Sequence, residues 1–325
     1  MNKAFGAIVL ATCVVGGAVA LADGFGVDFE SYALGSINGQ DGWSSLGSIG
    51  SGCAVYDHSV VFNLSGAAPA AFGSRSLRVS NASTSGCFGD QTFSKPVANE
   101  AGESAASNAG QSGGIRQPHF EVEWQMASVV PTAVQPGLHY SASPDRGDGA
   151  RMSYLRFEDN PAGIDVFFDD VQGTVPFGAD GCTSVACANF VETQLATLNR
   201  SVPHTLKLSM DFYDGPGNDV VRVYIDHALV HTGTSWEDYY RFDPESYDGS
   251  PSRTVDSLLI RTGGDAAPLT FGKGFLIDNL TVASGAILIP PPTTQAQCKN
   301  DGWKTFNNPS FKNQGQCVSF AAHSK

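Results

Sequence analysis

Two stretches of this 325-residue sequence gather side chains that could do chemistry. The first is Glu121-Val122-Glu123-Trp124-Gln125. Glycosidic hydrolysis needs two carboxyl groups, about 5–5.5 Å apart for retention or about 6.5–9.5 Å apart for inversion. Residues two apart on a strand share a face with Cα atoms about 6.5–7 Å apart, which makes Glu121 and Glu123 a candidate catalytic pair. Their other reading is the solvated outer face of a strand whose inner face is Phe120, Val122 and Trp124. The second stretch is Trp236-Glu237-Asp238-Tyr239-Tyr240-Arg241. Flat rings from Trp236, Tyr239 and Tyr240 would cover the C–H face of a pyranose while Glu237 and Arg241 bond its hydroxyls, the mixture that sugar recognition uses. The same residues also suit core rings with a Glu237–Arg241 pair at i,i+4.

Oxygen ligands for calcium are offered by Asp214, Asn218 and Asp219 in the Gly-rich turn Tyr213–Asp219, although the order is not that of an EF-hand. Turn chemistry, with Asx side chains bonding the backbone, explains the same residues. Asp169-Asp170 and Glu158-Asp159 are further acid pairs. The His-Glu-x-x-His, P-loop and dinucleotide fingerprints do not occur, and the seven histidines are scattered singly.

Strands must position these groups. Phe120, Val122, Trp124 and Met126 alternate with polar neighbours, as do Leu206, Leu208, Met210 and Phe212, and Val221, Val223 and Ile225. A period of two marks a strand with one buried face. The turn Tyr213–Asp219 predicts an antiparallel hairpin between the last two runs, and a second turn falls at Asp226-His227-Ala228. Helical spacing is confined to Asn189–Leu198, where one short helix or a decorated loop is expected. With 37 Gly, 17 Pro and only 16% charged residues, the composition suits many short strands joined by turns. The expectation is an all-β, two-sheet antiparallel jelly-roll β-sandwich over residues 23–284.

A formal charge of −13 and the lack of any Lys/Arg cluster argue against nucleic acid as a partner and leave sugars, cations or basic surfaces. Met1-Asn2-Lys3, the apolar run Ala4–Ala20 and Ala20-Leu21-Ala22 read as a signal peptide over residues 1–22, which predicts a secreted, extracellular product. No later run is fit to span a bilayer, since Ile287-Leu288-Ile289 stops at Pro290-Pro291-Pro292. Residues 285–297 read as a stiff Pro-rich linker, followed by a small disulfide-closed tail over 298–325 that holds Trp303, Phe306 and Phe311. Cys13 leaves with the leader, so six of the seven cysteines remain for an oxidising compartment. Sequence neighbours are expected to pair, Cys53 with Cys87, Cys182 with Cys187, and Cys298 with Cys317. Zinc would require a second close Cys/Cys or Cys/His pair, which the sequence lacks.

Asp28-Phe29-Glu30-Ser31-Tyr32 through Gln40-Asp41-Gly42-Trp43 resembles the first strand and following turn of secreted bacterial proteins of the concanavalin A-like lectin/glucanase jelly-roll superfamily. Thr232-Gly233-Thr234-Ser235-Trp236 through Arg241, with Gly272-Lys273-Gly274-Phe275-Leu276-Ile277-Asp278-Asn279, is similar to an uncharacterised secreted subgroup of it. The likeness spans most of residues 23–284 and implies the fold more firmly than the function, because that architecture serves lectins, adhesion modules, hydrolases and lyases. In the subgroup the hairpin turn reads Asp-Gly, where this chain has Asp226-His227. Laminarinase-like members use Glu-x-Asp followed by Glu, whereas here the middle acid is Glu123 and the last position is Gln125, which removes the expected proton donor. The tail resembles a short Cys-bounded motif that ends many exported bacterial proteins. The readings are a glycan-binding, lectin-like protein with a polysaccharide or glycoconjugate partner, a glycoside hydrolase or polysaccharide lyase on the same fold, and a structural or adhesive extracellular protein. Thiol titration of the denatured, exported protein should find no free cysteine; any free thiol would break the three-disulfide expectation.

Overall fold

The structure, a computed structural model, describes residues 20–46, 57–63, 70–84, 91–104, 112, 114–172, 189–242, 253–262, 264–287, 291–306 and 309–323. They fall into two units, a large one over Leu21–Gly285 and a small one that includes Ala286–Lys325. In chain order the strands are β1 (Ala20–Val27), β2 (Gly35–Ser36), β3 (Ser44–Leu46), β4 (Asp57–Phe62), β5 (Arg75–Ser80), β6 (Gln91–Phe93), β7 (Ala101–Gly102), β8 (His119–Ser128) and β9 (His139–Asp145). They continue as β10 (Leu155–Asn160), β11 (Gly163–Val171), β12 (Phe190–Leu198), β13 (His204–Asp211), β14 (Val220–Ile225), β15 (Ala228–Gly233), β16 (Thr254–Val255), β17 (Ser257–Arg261) and β18 (Phe275–Ala286). The helices are α1 (Glu237–Phe242) and α2 (Gln314–His323), with short 3-10 turns besides.

One sheet has nine strands in the order β15-β14-β13-β8-β18-β5-β4-β2, with β1 also on β18. The other has seven, β12-β11-β10-β9-β17-β6-β3, and β16 with β7 forms a separate pair. Alternation aims Phe120, Val122, Trp124, Leu206, Leu208 and Val223 from the first sheet, and Tyr140, Phe157, Val166, Phe168 and Ile260 from the second, into one shared core. The sheets meet ring to ring. Trp124 lies edge-on to Phe157 at 6.3 Å, and Tyr140 packs on Phe275 at 5.4 Å. The Tyr140 hydroxyl, forced into this apolar layer, donates to Met126 Sδ at 3.1 Å. This is the expected two-sheet antiparallel β-sandwich.

One irregularity keeps β18 in step. The residues it gives to the core are Phe275 and Ile277, then Leu280 and Val282, which a strict period of two would send to opposite faces. A register shift between Asp278 and Thr281 sets two residues against one on β8 and returns Leu280 and Val282 to the core. Asn279 takes φ 48° in this bulge and donates through Nδ2 to Gln125 Oε1 at 2.9 Å.

The β13–β14 hairpin forms as expected, in antiparallel register from Leu206↔Ile225 to Asp211↔Val220. At the next turn Asp226 and His227 have φ 50° and 67°, the left-handed pair that a two-residue hairpin demands. Asp226 Oδ1 meets part of that cost by accepting the Thr205 amide at 2.9 Å. The helix or loop expected at Asn189–Leu198 is corrected: Phe190–Leu198 is strand β12, paired along β11 from Val171↔Phe190 to Ile164↔Leu198. It lies at the sheet edge, so only one neighbour and a partly exposed face shape its sequence, and the period of two is blurred.

The small unit is closed by Cys298–Cys317, with Cα atoms 5.6 Å apart. Phe306 and Ala321 pack on the disulfide, with Trp303, Phe311 and Val318 around them. Of the three expected disulfides this is the one between described residues. Cys53 and Cys87, expected to pair with each other, lie outside the described residues, as do Cys182 and Cys187, the other expected pair. The expected leader lies largely outside them too, and β1 starts at Ala20, ahead of the expected cleavage after Ala22.

Trp124 has no exposed surface and touches both layers of the core. Trp124→Ala should therefore lose about 3–5 kcal/mol of unfolding free energy, read as a lower urea midpoint at unchanged m-value.

Candidate functional site

On the outer face of the seven-stranded sheet, aromatic rings collect at one end of β10–β12. Leu155 and Phe168 point inward, so Tyr154, just before β10, and Asp169 on β11 point outward side by side. Phe190 opens β12 beside them, 42% exposed. Trp236 reaches this place because Asp170, at the end of β11, accepts the Thr234 amide on Oδ1 at 2.7 Å. That approach requires Gly233, where a Cβ would stand 2.2 Å from Asp170 Oδ1. The Trp236 indole then donates to the Asp169 carbonyl at 2.9 Å. Its ring lies nearly parallel to Tyr154 at 6.0 Å and edge-on to Phe190 at 4.9 Å, and Tyr239 closes the group 5.4 Å from Phe190. Arg151 spreads its guanidinium over Tyr154 and Trp236 at 5.5 and 5.7 Å.

The rings continue into a polar strip. Arg156 covers Phe167 at 4.1 Å and pairs with Glu158 and, at 2.6 Å, with Glu192. Asp165 accepts from Asn160 at 2.7 Å and from Gln194 at 3.0 Å. Burial first, then Glu192, pushes the Asp169 carboxyl up to about 6. A partly open ring surface beside charged hydrogen-bonding groups can hold an amphipathic ring ligand.

α1 carries Tyr239 directly after Trp236 and has only six residues, too few to be stable alone. Buried carboxylates hold it to the β13–β14 turn. Glu237 Oε1 accepts the amides of Asn218 and Asp219 at 2.7 and 2.9 Å, and Asp238 Oδ1 accepts that of Gly217 at 3.1 Å. Arg241 bonds Glu103 at 2.6 Å and Glu237 at 2.9 Å, while Arg253 bonds Glu103 at 2.7 Å. Glu237, Tyr240 and Arg241, expected to face a ligand, therefore do something else: Tyr240 joins the core, and the Glu237–Arg241 pair anchors the helix. Successive helical residues point about 100° apart, so Tyr239 and Tyr240 cannot share a face.

The residues expected to hold calcium separate. Asn218 Nδ2 donates to the Asp214 carbonyl at 2.9 Å, ordinary turn chemistry, and Ser104 donates to the Asp214 carboxylate. Asp219 instead joins Glu103 and Glu237, with one oxygen from each within 4.8 Å of the others. Both Asp219 oxygens already accept, from the Tyr213 amide at 2.9 Å and the Ser235 hydroxyl at 2.7 Å, and Arg241 supplies the positive charge. Burial first, then Glu237, pushes Asp219 up to about 7.

Glu121 and Glu123 do share a face, but it is the outer face of the nine-stranded sheet, not the sheet that carries Tyr154 and Phe190. Lys207 pairs with Glu121 at 2.6 Å, and His119, itself paired with Asp211 at 2.6 Å, stands at 3.7 Å. Burial raises the Glu121 carboxyl, yet His119 and Lys207 outweigh it and hold it at about 2. Such a group is ionised at neutral pH and has no proton to give a leaving group.

Sequence reasoning missed Tyr154, Phe190 and Arg151. The helical reading of 189–198 hid Phe190, and nothing local ties Tyr154 to Trp236, 82 positions later. The chain also contains Gly110-Gln111-Ser112-Gly113-Gly114, the spacing of a hydrolase nucleophile turn. Ser112 Oγ there has no hydrogen-bond partner and so no activating base among the described residues.

No protein-family model and no curated protein matches the chain. Among solved structures it is similar to a sialidase at TM-score 0.40 and 12% identity, over 81% of this chain and 19% of the sialidase. An alginate lyase from Pseudomonas aeruginosa is similar at TM-score 0.34 and 10% identity, over 65% of this chain and 82% of that one. A carbohydrate-binding module from Bacillus subtilis is similar at TM-score 0.32 and 10% identity, over 75% and 96%. What this chain binds is therefore read from its own side chains.

Asp219 holds its proton more tightly folded than unfolded, so the stability it contributes is full below the ordinary carboxylate range and is lost as pH rises through about 7. Asp219→Asn should raise the melting temperature at pH 8, with a gain that grows from pH 4 to pH 7 and levels off above; a pH-independent difference would contradict this.

Proposed function

We propose that the chain is an exported glycan-binding protein that holds a sugar against the Tyr154, Phe190, Trp236 and Tyr239 rings. The observation that carries this reading is a contrast of burial. Trp43, Trp124, Phe157 and Phe168 are shut into the core with at most 1% exposure. The four rings at β10–β12 touch one another and yet all keep solvent-accessible surface. Rings that stay partly exposed, with the Asp169 carboxylate beside them, suit a pyranose that is apolar on its face and polar at its edge. Export is supported by the Met1–Ala22 leader pattern and by the Cys298–Cys317 bond.

Incubating the mature protein with a panel of insoluble polysaccharides, while assaying reducing and unsaturated ends, tests this. Retention without release is expected. Trp236→Ala should cost about 2 kcal/mol of binding, roughly thirtyfold in Kd, as for an aromatic anchor, whereas Glu121→Gln should leave retention unchanged. Release of sugar ends would make the chain a hydrolase or lyase on this fold, and no retention on any glycan would favour a structural or adhesive protein.

A further inference from the structure

The ring-bearing face has an unbalanced charge pattern. Beside the rings, Arg151 and Arg156 stand against Glu158, Asp165, Asp169 and Glu192, with Arg261 two strands beyond Arg156 on the same face. Both guanidiniums are occupied: Arg156 is clamped between Glu158 and Glu192 over the Phe167 ring, and Arg151 lies over Tyr154 and Trp236 with 7% of its surface exposed. Glu158, Glu192 and Asp165 are also committed, to Arg156, Asn160, Gln194 and Thr197. Asp169 differs. Its amide and carbonyl bind Tyr154 and Trp236, but among the described residues nothing donates a hydrogen bond to its carboxylate. This half-buried acceptor therefore sits at the edge of the ring cluster.

We infer that this face takes uncharged glycans and excludes polyanionic ones, with the Asp169 carboxylate as the specificity-determining acceptor of sugar hydroxyls. The inference rests on the glycan-binding reading and adds the class of sugar. A carboxylate accepts two O–H donors from neighbouring hydroxyls, which an uncharged pyranose supplies at its ring edge. A uronate or sialate in the same place would bring its own negative charge beside Asp169 and Glu192, where the two nearest guanidiniums, of Arg151 and Arg156, are already engaged. The groups facing Asp169 are Glu192 on β12, Arg156 on β10, Arg151 before β10 and Asp170 on β11. Burial and Glu192 set its titration at about 6, within the range where a binding profile can be read.

Affinity electrophoresis of the full mature chain through gels of soluble neutral β-glucan and mannan, of chitosan, and of alginate and polygalacturonate tests this at pH 5 to 8. Wild type should be retarded by a neutral gel and run freely through both polyuronates, and its affinity should fall about tenfold from pH 8 to pH 5, as about nine-tenths of Asp169 takes up a proton. Asp169→Asn should lose most of the pH 8 affinity and flatten the profile, which separates its titration from that of Asp219 beneath α1. Phe190→Ala, at an edge position 42% exposed, should weaken retardation independently of pH. Retardation by polyuronate that Phe190→Ala removes would overturn the charge rule while leaving the ring site standing. So would a preference for chitosan alone, or an Asp169→Asn variant with wild-type affinity and profile. Retardation indifferent to both Phe190→Ala and Trp236→Ala, or no retardation by any gel, would overturn the glycan site and this inference together.

Discussion

The contact between the two sheets, Trp124 against Phe157 and Tyr140 against Phe275, is the constraint from which the remaining geometry follows. Each sheet is apolar on one side, so neither is stable until the other covers it. Once they face, every strand's phase is fixed, because a slip of one residue would exchange core and solvent. The bulge at Asp278–Thr281 shows how strictly this holds: the ladder gives up regular pairing there so that Leu280 and Val282 stay inside. It also explains how two outer faces of different chemistry arise, since each is whatever the alternation leaves over.

Those two faces have divided their charges differently. On the nine-stranded sheet Glu121 is paired with Lys207 and His119, and Asp211 with His119 and Arg222, while Asp278 on the same face is bonded to the Ser76 hydroxyl and the Asn279 amide. Those bases hold the Glu121 and Asp211 carboxyls ionised, whereas burial pushes Asp278 up to about 7. The seven-stranded face has fewer bases and is crossed by rings, so one acid, Asp169, is left half-buried and pushed upward. Paired charges mark structure here, and Asp169, to whose carboxylate no described residue donates a hydrogen bond, is the group on which the proposed specificity rests.

The rings depend on a support that is itself ionic. α1 is too short to hold itself, and its orientation comes from Glu237, Asp238 and Arg241 gripping the β13–β14 turn, with Glu103 and Arg253 beyond. Burying this much charge is tolerable only because nearly every oxygen has a donor. The helix thereby fixes Trp236 and Tyr239, which pack against the core edge while staying partly exposed.

By itself the sequence determined the sandwich, the three principal strands, the two hairpins and the Cys298–Cys317 tail, because these follow from period-two alternation, turn residues and short separations that act within about ten or twenty positions. It also pointed to Trp236–Arg241 as a place of interest, though not to how its residues divide, since a six-residue helix sends Tyr239 outward and Tyr240 inward only when something fixes its phase. Phe190 was illegible, as an edge strand is shaped by one neighbour and keeps a weak pattern. Only the tertiary structure decided that Tyr154, Phe190 and Trp236 meet, that Asp219 turns to Glu103 and Glu237 instead of Asp214, and that Glu121 is spent on Lys207. Each of these is a choice of partner across a long stretch of chain, and partner choice is set by which faces the two sheets bury, a property no local spacing carries.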